Sequence, residues 1–199
     1  MKGSLIVVSA PSGAGKTTLC NAIIKSLDRI AFSISYTTRK PRAGEVDGVD
    51  YYFVDEEVFR QMIERNEFAE WANVHGNLYG TSKRFIEDLM DRRIDVLLDI
   101  DVQGAKQIKA TYPEAILVFI MPPSFEELKK RLYTRGAENI EGRLKRALEE
   151  IREYYFYDYV IINDNLEKAI EGLRSIIISE RLRVKRFEPQ FIDRFYPVA

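Results

Sequence analysis

The chain is short of the residues that most often announce chemistry. It has one cysteine, one histidine and one tryptophan in 199 residues. A single cysteine, Cys20, excludes an internal disulfide and fits a reducing compartment. Cys20 falls in a helix-patterned stretch, where a free thiol usually packs as a small hydrophobe rather than acting as a nucleophile. The lone histidine, His75, sits in a predicted turn and reads as exposed. Charge of one sign is lacking as well. Lys and Arg number 30 and Asp and Glu 31, a net charge of −1. Nothing global therefore points to nucleic acid or to an anionic membrane. No apolar run approaches the roughly 18 residues a membrane span needs. Met1-Lys2-Gly3-Ser4 runs straight into an apolar strand and leaves no room for a signal peptide. The expectation is a cytoplasmic protein. Internal repeats and low-complexity segments are missing too. With 46% hydrophobic residues, the length suits one core with an inserted or appended piece.

What is present begins with Ser9-Ala10-Pro11-Ser12-Gly13-Ala14-Gly15-Lys16-Thr17-Thr18. Before it lies Leu5-Ile6-Val7-Val8, too short for a helix and rich in β-branched residues. After it, Leu19, Ala22, Ile23 and Leu27 recur at helical spacing. Strand, glycine loop, helix is the context a phosphate-binding loop requires. Gly13 and Gly15 let the backbone turn several N–H groups toward one anion. The helix N-terminus adds free N–H groups and partial positive charge. Residues Ala10 to Thr18 are the predicted ATP site. Lys16 is placed to reach the β- and γ-phosphates, and Thr17 to put its hydroxyl on Mg²⁺. Ala10 occupies the position where glycine is usual. It precedes Pro11, which predicts an extended backbone that tolerates a methyl group.

Further along, strands alternate with helices. Phe32–Ser35 reads as a second strand and residues 36–50 as a polar loop punctuated by Pro and Gly. Loops this long are usually functional. Tyr51–Phe53 is a short strand. Asp55 is predicted to cap a helix carrying Val58, Phe59, Met62 and Ile63 inward. Two strands around a turn at 75–77 precede a helix starting at Ser82. Residues 94–98 form a buried strand ending at Asp99 and Asp101; a helix follows to about 110, then a strand over 115–120. Ser124 and Glu127 suggest a capping box, with Phe125, Leu128 and Leu132 inward. A helix over about 143–156, a strand at 160–162 and a helix capped by Asn165 complete the pattern. This is an α/β fold with a parallel sheet, whose ligands sit beyond the carboxyl ends of the strands. Arg181 to Arg186 reads as the solvated end of the last helix. Tyr154, Tyr155, Phe156, Tyr157 and Tyr159 read as hinge and core packing.

Several residues converge on those strand ends. Ser35, Arg39, Arg42, Tyr51 and Tyr79 can form a second anion site, because the arginine fork matches a phosphate; the alternative is a pair of solvated loop charges. Glu70 and Thr81 can read a base. Guanine presents N1–H and N2–H₂ donors side by side, which one carboxylate accepts together, whereas adenine N1 is an acceptor. Asp99 follows an apolar strand, where Mg²⁺ is held in nucleotide enzymes, or it simply ends the strand. Arg131, Arg135 and Arg143 flank a polar, glycine-bearing stretch and read as a mobile cover bringing positive charge to a transferring phosphoryl group, or as helix-surface arginines.

Taken together, these motifs resemble the guanylate kinase family from Leu5 to about Ser179. The resemblance rests on residues 9–18, on Ser-Tyr-Thr-Thr-Arg-Lys-Pro-Arg-Ala-Gly-Glu at 35–45, and on Gly48 to Phe53. It also rests on Glu70-Trp71, Tyr79-Gly80-Thr81, Leu98 to Asp101 with Gln103-Gly104, and Arg131 with Arg135-Gly136. It implies a P-loop nucleoside monophosphate kinase fold, with a parallel core sheet, an inserted GMP-binding domain and a helical lid. The core would comprise 1–35, 93–121 and 157–199, the GMP-binding domain 36–92 and the lid 122–156. The implied reaction is ATP + GMP giving ADP + GDP with Mg²⁺. The implied GMP set is Ser35, Arg39, Arg42, Glu45, Tyr51, Glu70, Tyr79, Thr81 and Asp101. Lys16, Arg39, Arg131, Arg135 and Arg143 would be catalytic, and Thr17 and Asp99 would serve the metal. The stretch from Arg135 to Arg143 is about three residues shorter than the family's usual lid, so Arg146 rivals Arg143. Domains of this family that only bind proteins are expected to have damaged phosphate loops or to lack lid arginines; Gly15, Lys16, Thr17 and Arg39 are intact here. A kinase for another monophosphate is a further rival. No Asn-Lys-x-Asp motif points to a regulatory GTPase.

Overall fold

The computed structural model describes residues 2–74, 76–134 and 139–187. A five-stranded sheet runs in the order β2 (Ile30–Phe32), β7 (Asp95–Asp99), β1 (Leu5–Ser9), β8 (Ile116–Met121), β9 (Tyr159–Ile162). Every neighbouring pair is parallel. β1 is buried along its whole length because both faces are covered. Leu5 and Val7 face one layer, with Ile86 and Leu89 of α3 (Lys83–Asp91) and Val102, Ala105 and Ile108 of α4 (Val102–Thr111). Ile6 and Val8 face the other, with Leu19, Cys20 and Ile23 of α1 (Lys16–Ser26) and Ala169, Leu173 and Ile177 of α7 (Leu166–Arg181). Each Val, Leu or Ile among them contributes roughly 1.5–3 kcal/mol when fully buried. This is the α/β architecture the alternation implied. Cys20 is a packed core thiol, and burial pushes its pKa up to about 12.

Residues 36–82 hold a second, smaller sheet in the order β4 (Tyr52–Phe53), β3 (Tyr36–Thr37), β6 (Asn77–Ser82), β5 (Phe68–Val74). Its own core joins Phe59 and Met62 of α2 (Glu56–Glu64) to Phe68 and Leu78. A helical pair, α5 (Phe125–Thr134) and α6 (Ile140–Ile151), packs through Leu128, Leu132, Leu144 and Ala147.

Several boundaries differ from the sequence pattern. The second strand lies at Ile30–Phe32, not Phe32–Ser35, and Tyr36–Thr37 is a strand inside the predicted loop. The Ser33 amide still donates to Leu97 O at 3.1 Å, after which the chain leaves the large sheet and joins the small one. Val58 and Phe125 are 42% and 40% exposed, since each lies in a first helical turn that overshoots its core. Asp55 stands at the N-cap of α2 without a side-chain cap bond. Glu127 completes half a capping box: its amide donates to Ser124 Oγ at 3.1 Å, but its carboxylate turns to Arg131. α6 begins at Ile140 and stops at Ile151, with a short 3₁₀ turn at Tyr154–Phe156. Tyr157 is buried as expected, while Tyr154 and Tyr155 are exposed.

The end of α7 is not a solvated tail. Arg181 Nε donates to Asp95 Oδ2 at 2.7 Å, and Arg181 Nη2 to Asp28 O at 2.8 Å. Arg186 bonds Ser4 Oγ, and the Ser4 amide donates to Asp95 Oδ1 at 2.6 Å. Asp95 is buried, and these partners offset its desolvation. Arg183 and Lys185 pair with Glu180 and Glu114.

Candidate active site

The loop after β1 carries Gly13 and Gly15 at φ +93° and +92°, the left-handed region that glycine enters without a Cβ penalty. A Cβ on Gly15 would lie 2.5 Å from Asn163 Nδ2, so this position also lacks room for one. Among the described residues, non-glycine positive φ occurs at Arg29, Asn66, Arg93 and Asn139, and not at Ala10. The backbone therefore makes no demand for glycine there. The Ala14 amide donates to Pro11 O at 3.1 Å, closing the wrap. Lys16 opens α1, and Thr17 follows on the first turn with Thr18 behind it.

The parallel register sets Val8 beside Asp99, bringing the end of β7 to this loop. Lys16 Nζ lies 2.5 Å from Asp99 Oδ1 and donates to Ile100 O at 2.9 Å. Thr17 Oγ1 donates to Asp99 Oδ2 at 3.0 Å. A hydroxyl and a carboxylate this close are the hard oxygen donors Mg²⁺ favours, with water and phosphate oxygens completing its shell.

A cavity of about 720 Å³ opens between this loop, the small sheet and α6. Ser12, Ser35, Tyr51, Tyr79 and Asp99 line it. Beside the lining residues Tyr51 and Tyr79, Arg39 is held on three sides. Its Nε donates to Tyr79 OH at 3.2 Å, Nη1 to Lys40 O at 2.8 Å, and Nη2 to Glu45 Oε1 at 2.8 Å. The guanidinium carbon lies 5.4 Å from the Tyr51 ring centre, within cation–π range. Glu45 Oε2 accepts the Arg42 amide at 2.8 Å, while the Arg42 side chain is exposed. The Arg39 bond holds the Glu45 carboxyl below its usual range, with the Arg42 amide adding to the effect.

Glu70 lines the cavity, with Thr81 buried behind it. Glu70 is 6% exposed, and Thr81 Oγ1 donates to its Oε1 at 2.6 Å. Ser35 Oγ is 3.4 Å from Thr81 Oγ1. Oε2 faces Gly104, where a Cβ would come within 3.1 Å. Burial pushes Glu70 up to about 7; the Thr81 bond opposes this and the Asp101 charge reinforces it. Asp101 also caps α4, accepting the Gly104 amide at 2.8 Å. From an ordinary value of 4.5, the folded protein keeps a proton that the unfolded chain has released, so stability falls as pH rises from about 4.5 to 7. Glu70→Gln retains the acceptor for Thr81. It is expected to unfold later than the parent above pH 7, by on the order of 2–3 kcal/mol, and to match it near pH 4. Urea unfolding at the two pH values checks this.

Arg131 Nε donates to Glu127 Oε1 at 3.0 Å and Nη2 to Asn163 O at 3.1 Å. Arg143 Nη1 donates to Ser12 Oγ at 3.4 Å, tying α6 to the phosphate loop. Arg143 and Arg146 both line the cavity. Arg135 and His75 lie outside the described residues. Two residues escaped the sequence reading. Asn163 Nδ2 donates to Ala14 O at 2.8 Å, so one residue braces both the phosphate loop and Arg131. Its signal was its place just beyond β9, a strand carboxyl end like that of Asp99. Glu150 lines the cavity from α6; its signal was its spacing of four and seven residues from Arg146 and Arg143.

A glycine-wrapped phosphate loop feeding a parallel sheet, with a lysine and an arginine bonded to Asp99 and Tyr79 of one cavity's lining, defines a P-loop phosphotransferase. A family model described as guanylate kinase matches residues 2–180. Guanylate kinase of Geobacter metallireducens is 50% identical over 197 residues, 98% of this chain and 97% of that one. The Clostridioides difficile enzyme is 48% identical over 98% of this chain and 96% of its own. The crystal structure of guanylate kinase from Anaplasma phagocytophilum superposes with a TM-score of 0.80 at 34% identity, covering 100% of this chain and 97% of that one. The chain belongs to the guanylate kinase family. Among the described residues no helix is long and apolar enough to cross a membrane.

Proposed function

We propose that this chain transfers the γ-phosphoryl group of ATP to GMP, giving ADP and GDP, with Mg²⁺ accompanying ATP. The observation that carries this reading is Glu70, a buried carboxylate hydrogen-bonded to Thr81 and lining the same cavity as Tyr79, the partner of Arg39. A carboxylate there pairs with the adjacent N–H donors of guanine and opposes the acceptor of adenine. Residues 36–92 serve as the GMP-binding part, 122–156 as the lid, and 1–35, 93–121 and 157–199 as the core.

ATP takes the loop from Ala10 to Thr18. Lys16 would spread its charge over the β- and γ-phosphates, while Thr17 and Asp99 would hold the metal. The metal, when bound, neutralises phosphate charge. Arg39 and Arg42 hold the GMP phosphate with Ser35, Tyr51 and Tyr79, and Glu45 keeps Arg39 in place. A GMP phosphate oxygen, ionised at neutral pH, forms the new P–O bond. The bond to the bridging oxygen breaks, and that oxygen leaves on ADP. No proton need be removed, so no general base is required. Arg131, Arg135 and Arg143 offset the charge of the transferring group, and closure of α5 and α6 keeps water from taking the phosphoryl group.

Coupled detection of ADP with GMP, AMP, UMP or CMP as acceptor tests the reading. GMP is expected to support turnover far above the other three; equal use of AMP would remove the guanine assignment. Glu70→Gln is expected to lower the preference for GMP over AMP by about tenfold or more, because one charged acceptor becomes a mixed amide. Unchanged selectivity would move base recognition elsewhere. A protein-binding role without catalysis is disfavoured by the intact Lys16, Thr17 and Asp99 contacts.

A further inference from the structure

Gly142, Arg143, Arg146 and Glu150 of α6 all line the cavity, at the three- and four-residue spacing that puts them on one helix face. The arginines have an evident task toward phosphate. Glu150 does not, because a carboxylate repels a phosphate. Its side chain is half-buried and makes no hydrogen bond or ion pair among the described residues. Burial pushes it up to about 7, the Asp101 charge acts in the same direction, and Lys16 and Arg146 act against it. Glu70, Asp101 and Glu150 are thus three acceptor-bearing walls of one cavity. Glu70 answers the Watson–Crick edge of guanine and is engaged by Thr81, and Asp101 is engaged at the α4 cap. A desolvated carboxylate without a donor is costly unless a ligand supplies one.

Resting on the GMP reading above, we propose that Glu150 is a hydrogen-bond acceptor for the nucleoside of the acceptor nucleotide, carried to it on the lid helix. The donors available beyond the Glu70 contact are the second hydrogen of the guanine 2-amino group and the ribose 2′-hydroxyl. Glu150 would then report, from the lid side, that a nucleoside rather than bare phosphate fills the cavity.

The test measures KM for GMP and for ATP in the parent, Glu150→Ala and Glu150→Gln proteins, and repeats the acceptor series with dGMP and IMP. Parent turnover of GMP checks the underlying reading separately. Glu150→Ala is expected to raise KM for GMP about tenfold or more while KM for ATP changes less than twofold, with Glu150→Gln in between. The penalty should vanish with dGMP if the 2′-hydroxyl is the donor, or with IMP if the amine is. An unchanged KM for GMP, equal losses for GMP and ATP, or a penalty of the same size on all three acceptors would each overturn the proposal. Thermal melts of both variants separate these outcomes from misfolding.

Discussion

Lys16→Ala should lower kcat by about 10²–10³-fold at saturating ATP and GMP, the range found when one preorganised charge donor is removed from a transition state. Lys16 reaches Asp99 and Ile100 O across the strand ends, so its ammonium already sits over the loop that would hold the triphosphate. Removing it deletes that charge and leaves the Asp99 carboxylate with Thr17 as its one remaining side-chain partner among the described residues. The loop itself should persist, because Gly13, Gly15 and the Asn163 brace do not depend on Lys16. KM for ATP is therefore expected to rise less than kcat falls. Single-turnover phosphoryl transfer checks the effect; a rate equal to the parent would remove Lys16 from the chemistry.

Arg39→Met should raise KM for GMP by roughly two orders of magnitude, the loss expected when a charge-assisted fork to phosphate disappears. A guanidinium has five N–H groups. Three of those on Arg39 are engaged by Tyr79, Lys40 O and Glu45, which leaves two for a phosphate. Arg39→Lys should recover little, since one ammonium cannot hold three partners in those directions and also serve the ligand. Initial rates at varied GMP decide it. A variant with the parent KM would show that the arm does not carry the acceptor phosphate.

The chemistry-bearing stretches were easier to read than the edges of the scaffold. The loop from Ala10 to Thr18 was legible because its glycines sit between an apolar strand and a periodic helix, and local pattern alone determines that unit. Glu70 and Thr81 were singled out together, and they do meet: Thr81 Oγ1 donates to Glu70 Oε1 across the β5–β6 pairing. The strand at Tyr36–Thr37 was not legible, because two residues carry no period; it exists through pairing with Tyr52 and Gly80, distant in sequence. Arg181 and Arg186 read as solvent-facing because nothing near them in sequence announces Asp95, about 90 residues away, as their partner. Asn163 shares that reason, since it acts across elements and one side chain beyond a strand end leaves no local signature; Glu150 reaches the cavity lining only because the fold brings α6 there.

Glu45 determines when the freedom of the arginine arm is given up. By joining the Arg39 fork to the Arg42 amide, it orders the turn between them before any nucleotide arrives. Fixing one residue's backbone costs about 1–2 kcal/mol, and in this arm that loss falls on folding rather than on capture. On the reading proposed above, an incoming monophosphate would meet a finished receptor, its arrival governed by diffusion through the field of two arginines rather than by the wait for a segment to condense.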